Sequence, residues 1–197
     1  MTAGAPAIFM DRDGTLSHEV GYVNHVSRFR LYPWTLAAVR LVNRAGYRAV
    51  VVTNQAGVAR GYFPESLIHE VHAELRARVE AGGGRLDGIY FCPHHPSVGE
   101  PPYRRECDCR KPRPGLLLRA AAELGIDLGR SWVVGDRRAD LELAWRVRGR
   151  AALVKSGYGL GELQHQGPKW ARPPDLTAEH LLEAVEKITS LAGESRP

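Results

Sequence analysis

Ala7-Ile8-Phe9-Met10-Asp11-Arg12-Asp13-Gly14-Thr15 is the stretch on which the fold turns. Four apolar residues in a row read as a short buried strand. Two acids, two residues apart, follow at once, and Gly14 permits a tight turn. A strand that ends in this way delivers both carboxylates to one edge of a sheet, where they can face one cavity.

Moving outward, the same short apolar pattern recurs at Arg48–Thr53, Leu86–Phe91, Ser131–Gly135 and Ala151–Val154. Helical patterns lie between. Trp34 to Ala45 carries Leu36, Val39, Leu41 and Val42 and stops at Gly46. A second helix opens at Pro64 and runs to the Gly82-Gly83-Gly84 breaker. Gly115–Leu124, Asp140–Val147 and Ala178–Leu191 are further helices, and Gly157 to Pro174 reads as a loop. Strands alternating with helices predict parallel βαβ units: a three-layer, Rossmann-like α/β/α sheet in one domain spanning 1–197. In such sheets ligands sit at the carboxyl ends of the strands. Asp11 and Asp13, Thr53-Asn54-Gln55, and Asp136 all fall there.

Composition narrows the function classes. The 197 residues are 44% hydrophobic and 25% charged, as in ordinary globular proteins. No apolar run nears the roughly 18 residues of a membrane span. The first seven residues lack the basic and long apolar regions of a secretory signal, so a cytoplasmic protein is expected. Net charge is +5, but the arginines are scattered and only 8% of residues are aromatic. That pattern argues against nucleic acid as the partner, and a phosphorylated small molecule accounts for the charge as well. A monomer is expected.

Four motifs carry chemistry. In Asp11-Arg12-Asp13-Gly14-Thr15, one carboxylate can attack phosphorus and the other can protonate a leaving oxygen, then activate water. A calcium loop is disfavoured because its glycine belongs at the sixth position, not the fourth. Thr53-Asn54 can donate to a phosphoryl oxygen. In Arg110-Lys111-Pro112, the lysine offers a fixed charge for the transferring group and the arginine a fork for a second anion. In Gly135-Asp136-Arg137-Arg138-Ala139-Asp140, Asp136 is placed to share magnesium with Asp11, while Asp140 either supports it or starts the next helix.

A fifth motif lies in the irregular stretch from Cys92 to Pro114, which holds six prolines and all three cysteines. Cys92, His94, Cys107 and Cys109 supply three thiolates and an imidazole, a closed tetrahedral set for a structural zinc. His95 is the rival to His94, which is preferred for its spacing from Cys92.

In order and position the four motifs resemble the haloacid dehalogenase-like phosphatases, from Ala7 to about Val154. Cys92-Pro93-His94-His95-Pro96 and Cys107-Asp108-Cys109-Arg110-Lys111-Pro112 are similar to the branch of histidinol-phosphate and heptose-bisphosphate phosphatases. Gly21-Tyr22-Val23 and the run from Thr53 to Gly61 resemble the heptose-bisphosphate family, although Glu19-Val20 stands where some members carry Asp-His. The resemblance implies a fold without a large cap domain, with Asp11 as nucleophile, Asp13 as acid–base group, and Thr53 and Lys111 steadying the phosphoryl group. It implies magnesium on Asp11, Asp136 and the backbone carbonyl of Asp13. The substrate contacts it implies are Glu19, Val20, Gly21, Tyr22, Thr53, Asn54, Gln55, Ala56, Arg110, Lys111 and Arg137, on a sugar bisphosphate. Rival readings are histidinol-phosphate phosphatase, a nucleic-acid 3′-end phosphatase, and a zinc-stabilised binding protein with a dead site. The last is disfavoured because every expected catalytic side chain is in place.

Overall fold

The structure, a computed structural model, describes residues 4–194. Residues 1–3, where the targeting reading begins, and 195–197, where the predicted domain ends, lie outside that range. Six strands form one parallel sheet: β1 (Ala7–Met10), β2 (Arg48–Asn54), β3 (Gly88–Cys92), β4 (Trp132–Gly135), β5 (Arg150–Val154) and β6 (Leu176–Ala178). Their order is β3-β2-β1-β4-β5-β6. β1 lies between β2 and β4, with Met10 opposite Val51 on one side and Val134 on the other. The chain therefore winds outward from β1 in both directions, which opens a crevice at the carboxyl end of β1.

Every residue of β1 is buried, as expected when helices cover both faces. Side chains alternate across the sheet. Ile8 and Met10 pack with α1 (Thr35–Arg44), α2 (Glu65–Ala81) and α6 (Leu181–Glu194), through residues such as Val39, Leu75 and Val185. Ala7 and Phe9 pack with α3 (Gly115–Leu124) and α4 (Arg138–Arg146), through Leu117, Leu141 and Ala144. α3 ends where Gly125 takes the left-handed conformation at φ 63°, its N–H bonding the Ala121 carbonyl.

The structure departs from the sequence reading at the C-terminal side. Leu176–Ala178 is a sixth strand pairing with β5, not the start of a helix, and α6 begins only at Leu181. The predicted loop from Gly157 holds a turn of helix, α5 (Gly159–Gly161), and further helical turns to Lys169. β3 starts at Gly88 and α4 at Arg138, each two residues from the expected Leu86 and Asp140. No helix among the described residues is long and apolar enough to cross a membrane.

Candidate active site

β1 places Asp11 directly past its last residue, and the Asp11 N–H donates to Val134 O at 2.9 Å, extending the sheet pairing by one step. β4 delivers Asp136 in the same way, and Asp140 sits in the first turn of α4. One carboxylate oxygen from each of Asp11, Asp136 and Asp140 lies within 4.8 Å of the others. Lys111 reaches in with Nζ 2.8 Å from Asp11 Oδ1 and 2.7 Å from Asp140 Oδ1, and it donates to Val52 O at 3.0 Å. Two of the three buried acids, Asp11 and Asp140, thus share one ammonium, and Asp136 has none. Burial pushes Asp11 up to about 6, with Lys111 opposing and Asp140 adding to the shift. Burial, then the Asp11 and Asp140 charges, push Asp136 up to about 8. Asp136 Oδ2 accepts from Tyr158 N at 2.8 Å, while Oδ1 is buried without a hydrogen-bond partner. A cluster short of positive charge with an unpartnered oxygen fits a hard dication such as magnesium.

Asp13 points away from that cluster. Arg12 grips it with two bonds, Nε to Oδ1 at 3.1 Å and Nη2 to Oδ2 at 2.7 Å. Ser17 Oγ donates to Oδ1 at 3.3 Å and Gln55 Nε2 to Oδ2 at 2.9 Å. Burial alone would raise the Asp13 pKa, but Arg12, Gln55 and Ser17 outweigh it and hold the carboxyl below its usual range. Gln55 Nε2 also donates to Thr53 Oγ1 at 2.9 Å, which leaves the threonine hydroxyl proton free to donate elsewhere. Asn54 is engaged differently from the reading of it as a phosphoryl donor. Its Oδ1 accepts from Lys111 N at 3.0 Å and its Nδ2 donates to Lys111 O at 3.2 Å, so it clasps the lysine backbone.

Asp11, Asp13, Thr53, Lys111 and Asp140 open into a cavity of about 360 Å³ whose rim includes Glu19, Gly21, Tyr22, Ala56, Arg110 and Arg137, while Asp136 is fully buried and outside its lining. Val20 is not in the lining. It packs on the core while its carbonyl accepts from Arg28 Nη2 at 3.1 Å, and Val23 lines the cavity instead. Glu19 accepts from Gly21 N at 2.6 Å and lies 3.9 Å from Arg137, whose guanidinium stacks 3.8 Å over Tyr158. Tyr22 meets Tyr62 edge-on at 4.7 Å.

Arg110 Nη1 donates to His94 O at 3.1 Å and so ties the rim to the cysteine loop. There, Cys92 Sγ lies 3.6 Å from Cys107 Sγ and 3.8 Å from His94 Nδ1, and Cys109 Sγ lies 3.3 Å from both His94 Nδ1 and Cys107 Sγ. Donors about 2.0–2.3 Å from one tetrahedral centre stand roughly 3.3–3.8 Å apart, so the set fits zinc. His95 is turned elsewhere. Its Nδ1 accepts from Ser97 N and Val98 N, and its Nε2 faces Arg60.

A family model described as haloacid dehalogenase-like hydrolase matches residues 16–144, and a second, HAD-hydrolase-like, model matches 108–184. The D-glycero-beta-D-manno-heptose-1,7-bisphosphate 7-phosphatase of Photorhabdus laumondii is 42% identical over 158 residues, 80% of this chain and 84% of its own length. That of Pasteurella multocida is 42% identical over 185 residues, 94% of this chain and 95% of its own. The chain belongs to the heptose-bisphosphate phosphatase family of haloacid dehalogenase-like hydrolases. A crystal structure of the D,D-heptose 1,7-bisphosphate phosphatase of B. bronchiseptica, complexed with magnesium and phosphate, superposes on this family member with a TM-score of 0.82. It is 29% identical and covers 96% of this chain and 99% of its own.

This chain also places residues that sequence reasoning missed beside Asp136. Ser156 Oγ donates to Gly14 O at 2.6 Å, and a Cβ on Gly157 would stand 2.2 Å from Asp136 Oδ2. The available signal was a glycine three residues past β5. Gly14, at φ 87°, is as tightly bound to its place, with a Cβ there falling 2.1 Å from the same oxygen.

Proposed function

We propose that the chain, acting as one domain, hydrolyses the C7 phosphate ester of D-glycero-D-manno-heptose 1,7-bisphosphate through a phosphoaspartyl intermediate. The observation that carries this is the buried Asp11 carboxylate beside Lys111, at 2.8 Å, in a cavity with Asp13 and Thr53. Asp11 attacks phosphorus, and Asp13 delivers a proton to the departing C7 oxygen. Asp13 then takes a proton from the water that cleaves the acyl phosphate, returning Asp11. Asp13 waits as a carboxylate under the pull of Arg12; a phosphoryl dianion nearby favours its protonation. Thr53 Oγ1 and Lys111 Nζ hold the phosphoryl oxygens, and Asn54 keeps Lys111 in place. Magnesium would be held by Asp11, Asp136 and the Asp13 carbonyl, and when bound it neutralises charge on the phosphoryl group.

Arg110 is suited to the C1 phosphate, with Arg137 beside it. Glu19, the acid that a cationic histidinol end would need, already faces Arg137. The product, heptose 1-phosphate, would supply ADP- or GDP-heptose for lipopolysaccharide or surface glycans. The test is phosphate release from heptose 1,7-bisphosphate in both anomers and from histidinol phosphate, with and without magnesium. A higher kcat/KM for a heptose bisphosphate, dependent on magnesium, is expected. Preference for histidinol phosphate would overturn the substrate assignment.

A further inference from the structure

Arg12 stands between the two acids of the first loop, and no step of the proposed reaction uses it. It is 1% exposed, a costly place for a guanidinium unless every arm is engaged. Two arms hold Asp13, as described. The third, Nη1, lies 3.2 Å from Nε2 of His72 on α2. A guanidinium can only donate, so the imidazole nitrogen accepts and the ring carries its proton on Nδ1. Burial first, then the facing Arg12 charge, push His72 down to about 3, so the ring stays neutral. Phe29 lies against the guanidinium, its ring centroid 5.8 Å from the central carbon, and Phe91 meets the imidazole edge-on at 5.5 Å. His72 does not line the cavity of reactive groups.

We propose that His72 is a positioning residue for Asp13, acting through Arg12. Its Nε2 takes the Nη1 arm and so fixes the rotation of the guanidinium in which Nε and Nη2 face the two oxygens of Asp13. The inference rests on the reading of Asp13 as the acid–base group. Without the acceptor on α2, Nη1 is buried with no partner, Arg12 turns to find one, and the carboxylate it grips turns with it.

The test compares two substrates by kcat/KM, which reports events up to departure of the leaving group. Heptose 1,7-bisphosphate releases an alkoxide that needs a proton; p-nitrophenyl phosphate releases a phenolate that does not. In His72→Phe, kcat/KM for the heptose should fall roughly tenfold or more, and that for p-nitrophenyl phosphate by less than about threefold. His72→Gln puts a carbonyl where Nε2 stands and should restore heptose turnover to within about threefold of wild type. In an Asp13→Asn background His72→Phe should cost nothing further, as expected for two residues acting in one chain of contacts. Equal losses on both substrates would mark a general packing defect and overturn the proposal, and so would additive losses in the double variant. Should His72→Phe fail to fold, Arg12→Lys carries the same test. One ammonium cannot reach both Asp13 oxygens and His72, so the same split between substrates is expected, and wild-type behaviour or an equal loss on both overturns the proposal. Wild-type activity in Asp13→Asn alone would remove the acid–base reading, and this inference with it, before His72 is altered.

Discussion

The carboxylate cluster around Asp11 and the thiol–imidazole cluster around Cys92 gather their donor atoms by different means. Asp11, Asp136 and Asp140 come from two strand ends and a helix start, so the sheet itself brings them together. Cys92 closes β3, but His94, Cys107 and Cys109 hang on an irregular, proline-rich stretch with little regular pairing of its own. The first cluster leaves an unpartnered oxygen and opens on a cavity; the second offers four donors at tetrahedral spacing and, among the described residues, no fifth. A cluster built on a sheet keeps its geometry without an ion, whereas one built on a loop depends on the ion to stay gathered.

The sharpest way to break the comparison is Asp11→Asn. The amide is no nucleophile, so turnover should fall by more than roughly 10⁴-fold, while the thermal midpoint holds or rises because one buried negative charge is gone. A variant retaining near wild-type phosphate release would sink the covalent mechanism. Asp13→Asn should lower turnover by about 10²–10⁴-fold, and rapid-quench trapping should show slow formation of the acyl phosphate. Loss of zinc comes next. Purified protein should carry about one zinc per chain by elemental analysis. Cys109→Ser, or chelation followed by assay in excess magnesium, should lower the thermal midpoint and cut activity by about 10–100-fold through the freed Arg110 and Lys111. Full activity in zinc-free protein would show that the loop does not hold the rim. Arg110→Ala is milder: it should erase the preference for heptose bisphosphate over a monophosphate sugar, and an unchanged ratio counts against Arg110 as the second anion's partner.

The smallest effect is one of pH. His72 takes up a proton near pH 6.5 when unfolded and only near pH 3 when folded. Between those values the unfolded chain binds more protons, so this group costs stability as pH falls from about 6.5 toward 3 and nothing above it. His72→Gln removes that titration. Urea melts at pH 7 and pH 5 should show the variant gaining on wild type at the lower pH; a constant gap would mean the imidazole is not held neutral.

Much of this was legible in the sequence because it depends on local pattern. Four apolar residues running into Asp11 mark a central strand and its carboxyl end together. The spacing of Cys92, His94, Cys107 and Cys109 names the second cluster, although only the turned ring of His95 decides between the two histidines. What the pattern leaves out is long-range. β6 is three residues, two of them half-buried, and its identity rests on pairing with β5. Asn54 looks like a phosphoryl donor until Lys111, 57 residues on, is found between its amide atoms. His72 is one histidine on a largely polar helix, and its partner lies 60 residues upstream. Asp140, readable either as a helix start or as support for the site, is both: it accepts from Arg137 N at 3.2 Å and faces Lys111.

Gly14 and Gly157 approach Asp136 Oδ2 with bare α-carbons from opposite ends of the chain. The smallest possible side chain at either position would collide with the same oxygen, so neither can be relieved by changing the other. For directed evolution this divides the pocket into a frozen floor and a negotiable rim. A library that varies Tyr22, Arg110 and Arg137 explores substrate choice, whereas one that spreads its diversity over 14 and 157 yields mostly inactive clones.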